Sequence, residues 1–531
     1  MQSGAFHLDG GSVPSSLASR LVALSYRVLE DRRRQGAFPA RKSHHPIASG
    51  GRYVPHAPGP REATERVVFV LFIVGLAAVP YWYGSNDLIA WGVNAMVFPG
   101  LAAFYELSLL ARGKGHPVPI VDGLLVPAGL FLATLLWVWF QALAWKQPSL
   151  ANPIWDFAGQ TLGRPIDGSI SVDRDLTNLA LLRLMTAGSV LWLALQLCRI
   201  AGRALALLGA IVVIVFAYAA YGLVSIGIPS VSLPWLSIPY ETGLLSSTFV
   251  NRNTFATYAG LGLVAAAGLI LRLYRHETIG AGAGWRLQLS SLIDVTGGKA
   301  AIPLAGAFVI LVALLLTGSR GGVIATGIGL LVLGLLTTRR RSEASGLPKL
   351  VVIGPIILLA AVCLLAFGDF FITSIEQRGI GDANRLAVYA LTIRSILDAP
   401  LTGYGYGTFA DVFPFYRDRS LSVQGTWAEA HNTYLEIFQG LGVVFGVLLV
   451  ASVALLVLGC LKGPLRRQEH VTAPRVAVAA AVLVGVHALV DFSLQIQAVT
   501  LTFMAILGAG VAQSQGRGRS IDEPDGATVA S

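Results

Sequence analysis

The sequence predicts an all-α fold, a polytopic transmembrane helical bundle of about 12 spans, on three observations. Only 13% of the 531 residues are charged while 54% are hydrophobic, and the mean hydropathy is +0.66. A soluble domain of ordinary composition carries about a quarter charged residues. Apolar runs near 20 residues recur along the chain, the length that crosses a roughly 30 Å hydrocarbon core as a helix. Lys and Arg gather in alternate connections, as in the cytoplasmic loops of polytopic proteins. The short alternating segments of a membrane barrel nowhere dominate.

In chain order the spans are expected at 67–83, 88–111, 120–143, 177–198, 204–226, 253–271, 300–317, 322–338, 350–370, 434–461, 476–496 and 499–513. The segments 300–317 and 322–338 are read as spans, with a short or partly re-entrant path as the alternative. The basic connections hold Arg112 and Lys114; Arg199 and Arg203; Arg272, Arg275, Arg286 and Lys299; Arg339, Arg340, Arg341 and Lys349; and Lys462, Arg466, Arg467 and Arg475. Both termini fall on this side, which the positive-inside bias makes cytoplasmic. The other face receives 144–176, 227–252, the tight turn 318–321, the long loop 371–433 and the corner near 497. In a bacterium that face is periplasmic.

Residues 1–66 are polar and basic without an apolar core, which predicts a cytoplasmic tail and no cleaved signal peptide. Leu17, Leu21, Leu24 and Val28 recur there at helical spacing, suiting either a helix on anionic lipid or a disordered tail. The transmembrane domain is expected over 67–513 and a second cytoplasmic tail over 514–531. Cys198, Cys363 and Cys460 lie in apolar runs and predict buried thiols, not a disulfide framework. The net charge of +10 sits in short clusters between spans, so it speaks for topology and against nucleic acid as a partner.

Outer-face arginine runs against the topology bias, and charges kept at span ends usually face a cavity or a partner. "TFVNRNTFATY" puts Asn251, Arg252 and Asn253 at the start of a span. "LLTGSRGGVIA" sets Ser319 and Arg320 in a corner with Gly321 and Gly322, where a backbone without side chains can approach a ligand closely. "QRGIGDANRLAVYALTIRSILDAP" supplies Arg378, Arg385 and Arg394. Its Leu386, Tyr389, Ala390, Ile393 and Leu397 form a helical stripe that Arg385 and Arg394 flank on opposite sides. Arg385, nearer the turn "GIGDAN", is the stronger candidate. "TWAEAHNTYLEIFQGLG" places His431 and Asn432 at the mouth of the span that follows the longest outer loop; Asn432 either caps that helix or holds a sugar.

"VHALVDFSLQIQA" puts His487, Asp491 and Gln495 at i, i+4 and i+8, one face of a continuing helix. That polar face turns into the protein, either to pack helices or to orient the site. "LTGYGYGTFADVFPFY" lacks the G-x-G-x-x-G spacing and any βαβ context, and is read as a glycine-bearing outer turn. "VDRDL" offers Asp173 and Asp175 in a spacing that can hold Mg²⁺ or Mn²⁺, though one D-x-D in a loop is common by chance. No zinc-type Cys/His spacing occurs.

Arginines beside one histidine suit a lipid-linked diphosphate. Nucleotide sugars are cytoplasmic, so chemistry on the outer face needs a donor carried across already activated. Charge-assisted arginine contacts contribute roughly 1.5–3 kcal/mol each, so a few can stabilise a departing diphosphate as a metal would. A histidine can deprotonate the acceptor hydroxyl, worth about 10²–10⁴ in rate. "AHNTYLEIFQGLGVVFG", "GSRGG", "FVNRNTFA" and "HALVDFSLQ", in this arrangement, resemble the O-antigen ligase/polymerase superfamily of bacterial membrane glycosyltransferases, over roughly residues 240–510.

The resemblance implies an all-helical bundle with a large periplasmic loop between late spans. It implies an inner-membrane enzyme that transfers undecaprenyl-diphosphate-linked glycan to a growing glycan, to lipid A core or to protein, by metal-independent displacement with inversion and no cofactor. Carried over by motif, Arg320 and Arg385 contact the diphosphate and His431 activates the acceptor. Arg252 and Arg378 are further candidate diphosphate ligands. Asn432, Asn251, Asn253, Ser319, Gly321, His487 and Asp491 are candidate supporting residues. A chain-length regulator or export complex is an expected partner. The rival reading is a transporter or flippase, but transporters keep ionisable groups near mid-bilayer on paired broken helices, whereas here they gather toward one face.

Overall fold

The computed structural model describes residues 60–113, 123–146, 150–228, 231, 233, 234, 236, 244–277, 285–338, 383–421, 426–466 and 470–515. The expected span 350–370, Cys363, Arg378 and most of both tails lie outside the described residues. The described chain is all-helical, with fifteen helices and no strand. In order they are α1 (Pro60–Ala78), α2 (Leu88–Leu110), α3 (Leu125–Ala142), α4 (Ile154–Leu162), α5 (Arg174–Leu197), α6 (Ala201–Gly227), α7 (Arg252–Glu277) and α8 (Trp285–Gly297). Then follow α9 (Ala301–Leu316), α10 (Arg320–Thr338), α11 (Ala383–Asp398), α12 (Phe409–Tyr416), α13 (Thr433–Arg466), α14 (Thr472–His487) and α15 (Gln497–Gln515).

Among the described residues eight helices are long and apolar enough to cross a membrane: α2, α3, α5, α6, α7, α10, α13 and α15. The chain is a multi-pass membrane protein. Helices α9 and α14 are apolar but shorter. The interior of the bundle is α7 and α15, whose apolar windows are 78% and 83% buried, against 22% for α3 at the margin. Small residues allow that closeness, because between membrane helices association depends on packing contacts. A Cβ on Gly510 of α15 would stand 2.4 Å from the Ala477 Cβ of α14, and one on Gly268 of α7 would stand 2.2 Å from Val476 Cγ2.

Three expected spans end elsewhere. Helix α1 starts at Pro60, seven residues before the predicted span, because buried Glu65 is neutralised by Arg203 at 2.6 Å and Arg199 at 3.1 Å. Helix α13 is interrupted at Gly442 (φ 74°, ψ 167°). There the "LTGYGYG" loop lays its backbone on the helix: Val443 N donates to Pro400 O at 2.8 Å, Tyr404 N to Gln439 O at 3.0 Å and Gly405 N to Gly440 O at 3.1 Å. The run expected as one helix to residue 496 stops at His487, and a short 3₁₀ turn, Ser493–Gln495, precedes α15. His487, Asp491 and Gln495 therefore do not share one continuous helical face.

Candidate functional site

The candidate site lies where α7, α10 and α13 begin and α14 stops. Each helix start leaves amides without helical acceptors. Asn251 serves α7, its Oδ1 accepting from Asn253 N at 2.7 Å. Ser319 serves α10, its Oγ accepting from Gly322 N at 3.2 Å. Asn432 serves α13, its Oδ1 accepting from Tyr434 N and Leu435 N at 3.1 Å each. These small polar residues are N-caps. Each directly precedes or follows a candidate: Arg252, Arg320 and His431. Asp173 caps α5 in the same way, its Oδ1 accepting from Leu176 N at 2.9 Å, so one carboxylate of the D-x-D pair has a structural duty.

The pivot is the unwound stretch after His487. A longer helix would have consumed its carbonyls internally; here other elements take them. Thr433 N donates to Ala488 O at 2.9 Å, Asn432 Nδ2 to Leu489 O at 2.9 Å, and Arg385 Nη1 to Val490 O at 3.1 Å. The Thr433 hydroxyl donates to Asp491 O at 3.1 Å. Those tertiary bonds are the physical reason the helix ends early. They tie α11 and the start of α13 to the end of α14.

His487 points inward from that stretch. Its Nδ1 lies 2.6 Å from Thr257 Oγ1 of α7, which donates to Ser493 Oγ at 2.8 Å; Ser493 in turn donates to the Asp491 carboxylate. That direction makes Nδ1 the donor to Thr257. The other edge of the ring meets the glycine corner: a Cβ on Gly321 would stand 3.0 Å from His487 Nε2. Arg320, half-buried, is the residue before it. Arg252 binds the same corner, its Nη1 3.2 Å from Thr317 O and 3.5 Å from Gly318 O.

His431 adopts a left-handed backbone (φ 55°), which an L-residue other than glycine seldom takes. Its carbonyl accepts from the Tyr389 hydroxyl at 2.9 Å, and the preceding Ala430 N donates to Glu436 Oε1 at 2.6 Å. The ring stands edge-on to Trp427 and Phe492, with centroids 5.7 and 5.0 Å apart. Contacts to residues 487–492 thus bring together His431, Asn432, Arg385, His487, Asp491 and the Gly321 corner that carries Arg320. Arg252, Asn251 and Asn253 join through the 317–318 turn. Arg378 lies outside the described residues.

A second polar group beside this wall was not singled out from sequence. Arg183 of α5 donates to Gln495 O and stacks 4.4 Å over the Trp91 ring. Gln495 Nε2 donates to Glu436 Oε2 at 2.5 Å. Glu429, in the loop before His431, has its carboxyl pushed above the ordinary carboxylate range by burial, with Arg183 and a bond from Glu436 opposing. The available signal was a lone arginine in "NLALLRLMTAG", since an ionisable residue inside an apolar run marks a site by default.

This geometry can bind an anion at arginines and offer an imidazole to an acceptor. Residues 305–451 match the family described as O-antigen ligase. The match runs from α9 through the first part of α13, and so contains Arg320, Arg385 and His431 but not Arg252, His487 or Asp491. It supports the O-antigen ligase-like superfamily resemblance and a membrane enzyme of the glycosyltransferase type. No curated protein matches the chain.

Proposed function

We propose that this protein is an inner-membrane glycosyltransferase that moves an undecaprenyl-diphosphate-linked oligosaccharide to an acceptor hydroxyl at the periplasmic face, as a polysaccharide polymerase or an O-antigen ligase. In this reading Arg320 and Arg385, with Arg252 and Arg378, neutralise the departing diphosphate. His431 takes the acceptor's proton as the hydroxyl oxygen attacks the anomeric carbon from the face opposite the diphosphate, inverting that carbon. Arginines supply the charge stabilisation, so no metal is needed. Asn432, Asn251 and Ser319 aim these groups as helix caps, Asn253 stands in the first turn of α7 beside Arg252, and His487 and Asp491 brace the corner beside Gly321.

The observation that carries the reading is the meeting of three chain-distant segments, at 320–321, 385–389 and 431–433, on the carbonyls and side chains of 487–492. Two of the three supply an arginine and the third a histidine, inside the family match. The deciding experiment deletes the gene and identifies what accumulates. Single lipid-linked repeats indicate a polymerase, and polymer unattached to its anchor indicates a ligase. Lipid-linked repeats retained on the cytoplasmic side, with no glycan assembled at the periplasmic face, would indicate a transporter instead.

A further inference from the structure

A cavity of about 1070 Å³ opens beside this site, on the other side of the Thr433–Gln495 contact, between α3, α5, α13, α14 and α15. It is elongated along the helix axes. On α5 its lining runs from Leu176 to Leu195, with roughly 18 Å of it between Arg183 and Leu195 at the helical rise, and on α13 from Thr433 to Leu458, with roughly 30 Å between Glu436 and Leu458. Below its polar end the walls are apolar, with Phe131, Leu135, Leu191, Val453, Val457 and Met504 among them. Met185 and Leu458 line it and are 44% and 48% exposed, so it meets the surrounding lipid sideways. Such dimensions fit one extended hydrocarbon chain.

The polar end states what the head of that chain must be. Arg183, Glu429, Glu436 and Gln497 line it. One arginine faces two carboxyl groups, and it is already engaged by Gln495 O and the Trp91 ring, so there is no excess positive charge for a phosphate. Gln497 is 3% exposed; its Oε1 accepts from Asn94 Nδ2 at 2.7 Å, while its Nε2 has no protein partner. A buried amide left so is costly unless a ligand completes it. The candidate diphosphate ligands Arg252, Arg320 and Arg385 are not on this lining.

We propose that this cavity holds the acceptor, and that the acceptor is a membrane lipid whose single extended chain lies along α5 and α13 and whose uncharged, hydroxylated head meets Glu429, Glu436 and Gln497. The assignment rests on the transfer reaction proposed above and deepens it. The head hydroxyl's oxygen bonds to the anomeric carbon, the bond from that carbon to the diphosphate oxygen breaks, and the hydroxyl proton passes to His431, two residues from Glu429. The product is a glycan anchored to a lipid through an ordinary glycosidic bond.

The test uses the full-length protein in lipid nanodiscs and a diazirine-bearing hexadecyl glucoside, with a diazirine phosphatidylglycerol as the anionic comparison. The glucoside is expected to label peptides of α5 and α13, and Val453→Trp, which puts an indole across the cavity and narrows it, to reduce that labelling about tenfold. Gln497→Leu, which keeps the volume, is expected to raise the KM for the glucoside as acceptor about tenfold with the donor KM unmoved. Equal labelling of Val453→Trp, or stronger labelling of the same peptides by the anionic lipid, would overturn the assignment. Labelling in the cavity without transfer to any acceptor would fail the proposed reaction, whereas transfer to a soluble glycan without labelling would fail the cavity assignment alone.

Discussion

The Tyr389 hydroxyl donates to the His431 carbonyl at 2.9 Å, and this bond joins α11 to a histidine that stands just before a long apolar helix. The left-handed backbone at His431 costs roughly 1–2 kcal/mol for a side chain with a Cβ. Tyr389 above, the Ala430–Glu436 bond behind and the Asn432 cap in front hold it there. Tyr389→Phe keeps the ring and removes one hydrogen bond, about 0.5–1.5 kcal/mol. Transfer by this variant is expected to fall roughly three- to tenfold in kcat with the donor KM little changed. Wild-type kcat in an in vitro transfer assay would show that the clamp is idle.

His431→Ala is expected to abolish transfer while the protein stays in the membrane. His431→Asn makes the sharper experiment, since Asn tolerates the left-handed region and leaves a near-native backbone without an imidazole. This variant should melt close to wild type and make no new glycosidic bond. Product of unchanged chain length from it would remove His431 from the role of base.

Arg320→Lys retains the charge but loses the planar fork that grips two phosphate oxygens. A loss of one charge-assisted contact, roughly 1.5–3 kcal/mol, corresponds to a fall in kcat/KM of about 10- to 150-fold. EDTA is expected to leave wild-type transfer intact. Loss of activity in EDTA with recovery in Mg²⁺ would favour Asp173 and Asp175 as metal ligands. On the structure, Asp173→Ala instead removes a helix cap and should lower stability by about 0.5–2 kcal/mol.

Glu429 gives a pH prediction with a definite sign. Burial raises its carboxyl above the ordinary 4.5, so the folded state binds the proton more tightly than the unfolded chain. Its contribution to stability is full below 4.5 and is lost as pH rises through the raised folded value. Glu429→Gln should flatten that part of the melting-temperature profile and be relatively more stable than wild type on the alkaline side. A profile unchanged by the substitution would place the titration elsewhere.

The helical class and most helix positions were legible because the bilayer imposes them on composition and run length. The Asn432 cap was legible too, since Asn before an apolar run has a local reason to be there; Asn251 and Ser319, read only as supporting residues, are caps of the same kind, each of the three accepting from amides two or three residues on. What periodicity could not show was where tertiary bonds defeat it. "VHALVDFSLQ" reads as helix until Arg385, Asn432 and Thr433 claim its carbonyls from elsewhere in the chain. Arg183 and Glu436 lie on separate apolar helices, and nothing local to either foretells that Gln495 bonds to both.

Gly403 tests the loop that shapes the break in α13. Its φ is +63°, and a Cβ there would stand 2.4 Å from Gly440 O and 2.5 Å from Gly442 N. Both neighbours are backbone held in the loop–helix pairing, so they cannot swing aside as a side chain would. Gly403→Ala therefore combines an unfavourable dihedral with a clash, and a destabilisation above about 2 kcal/mol is expected. Gly92, inside α2, has nothing within 4 Å of an added Cβ, so Gly92→Ala should be neutral or stabilise by roughly 0.5–1 kcal/mol. Thermal melts of the two variants in the same detergent make the comparison. Because Gly403 abuts the break and not the His431 cap, transfer by whatever Gly403→Ala remains folded should fall less than its yield does. A variant that folds fully yet loses all transfer would mean that the bend at Gly442 itself sets the geometry of the reacting groups.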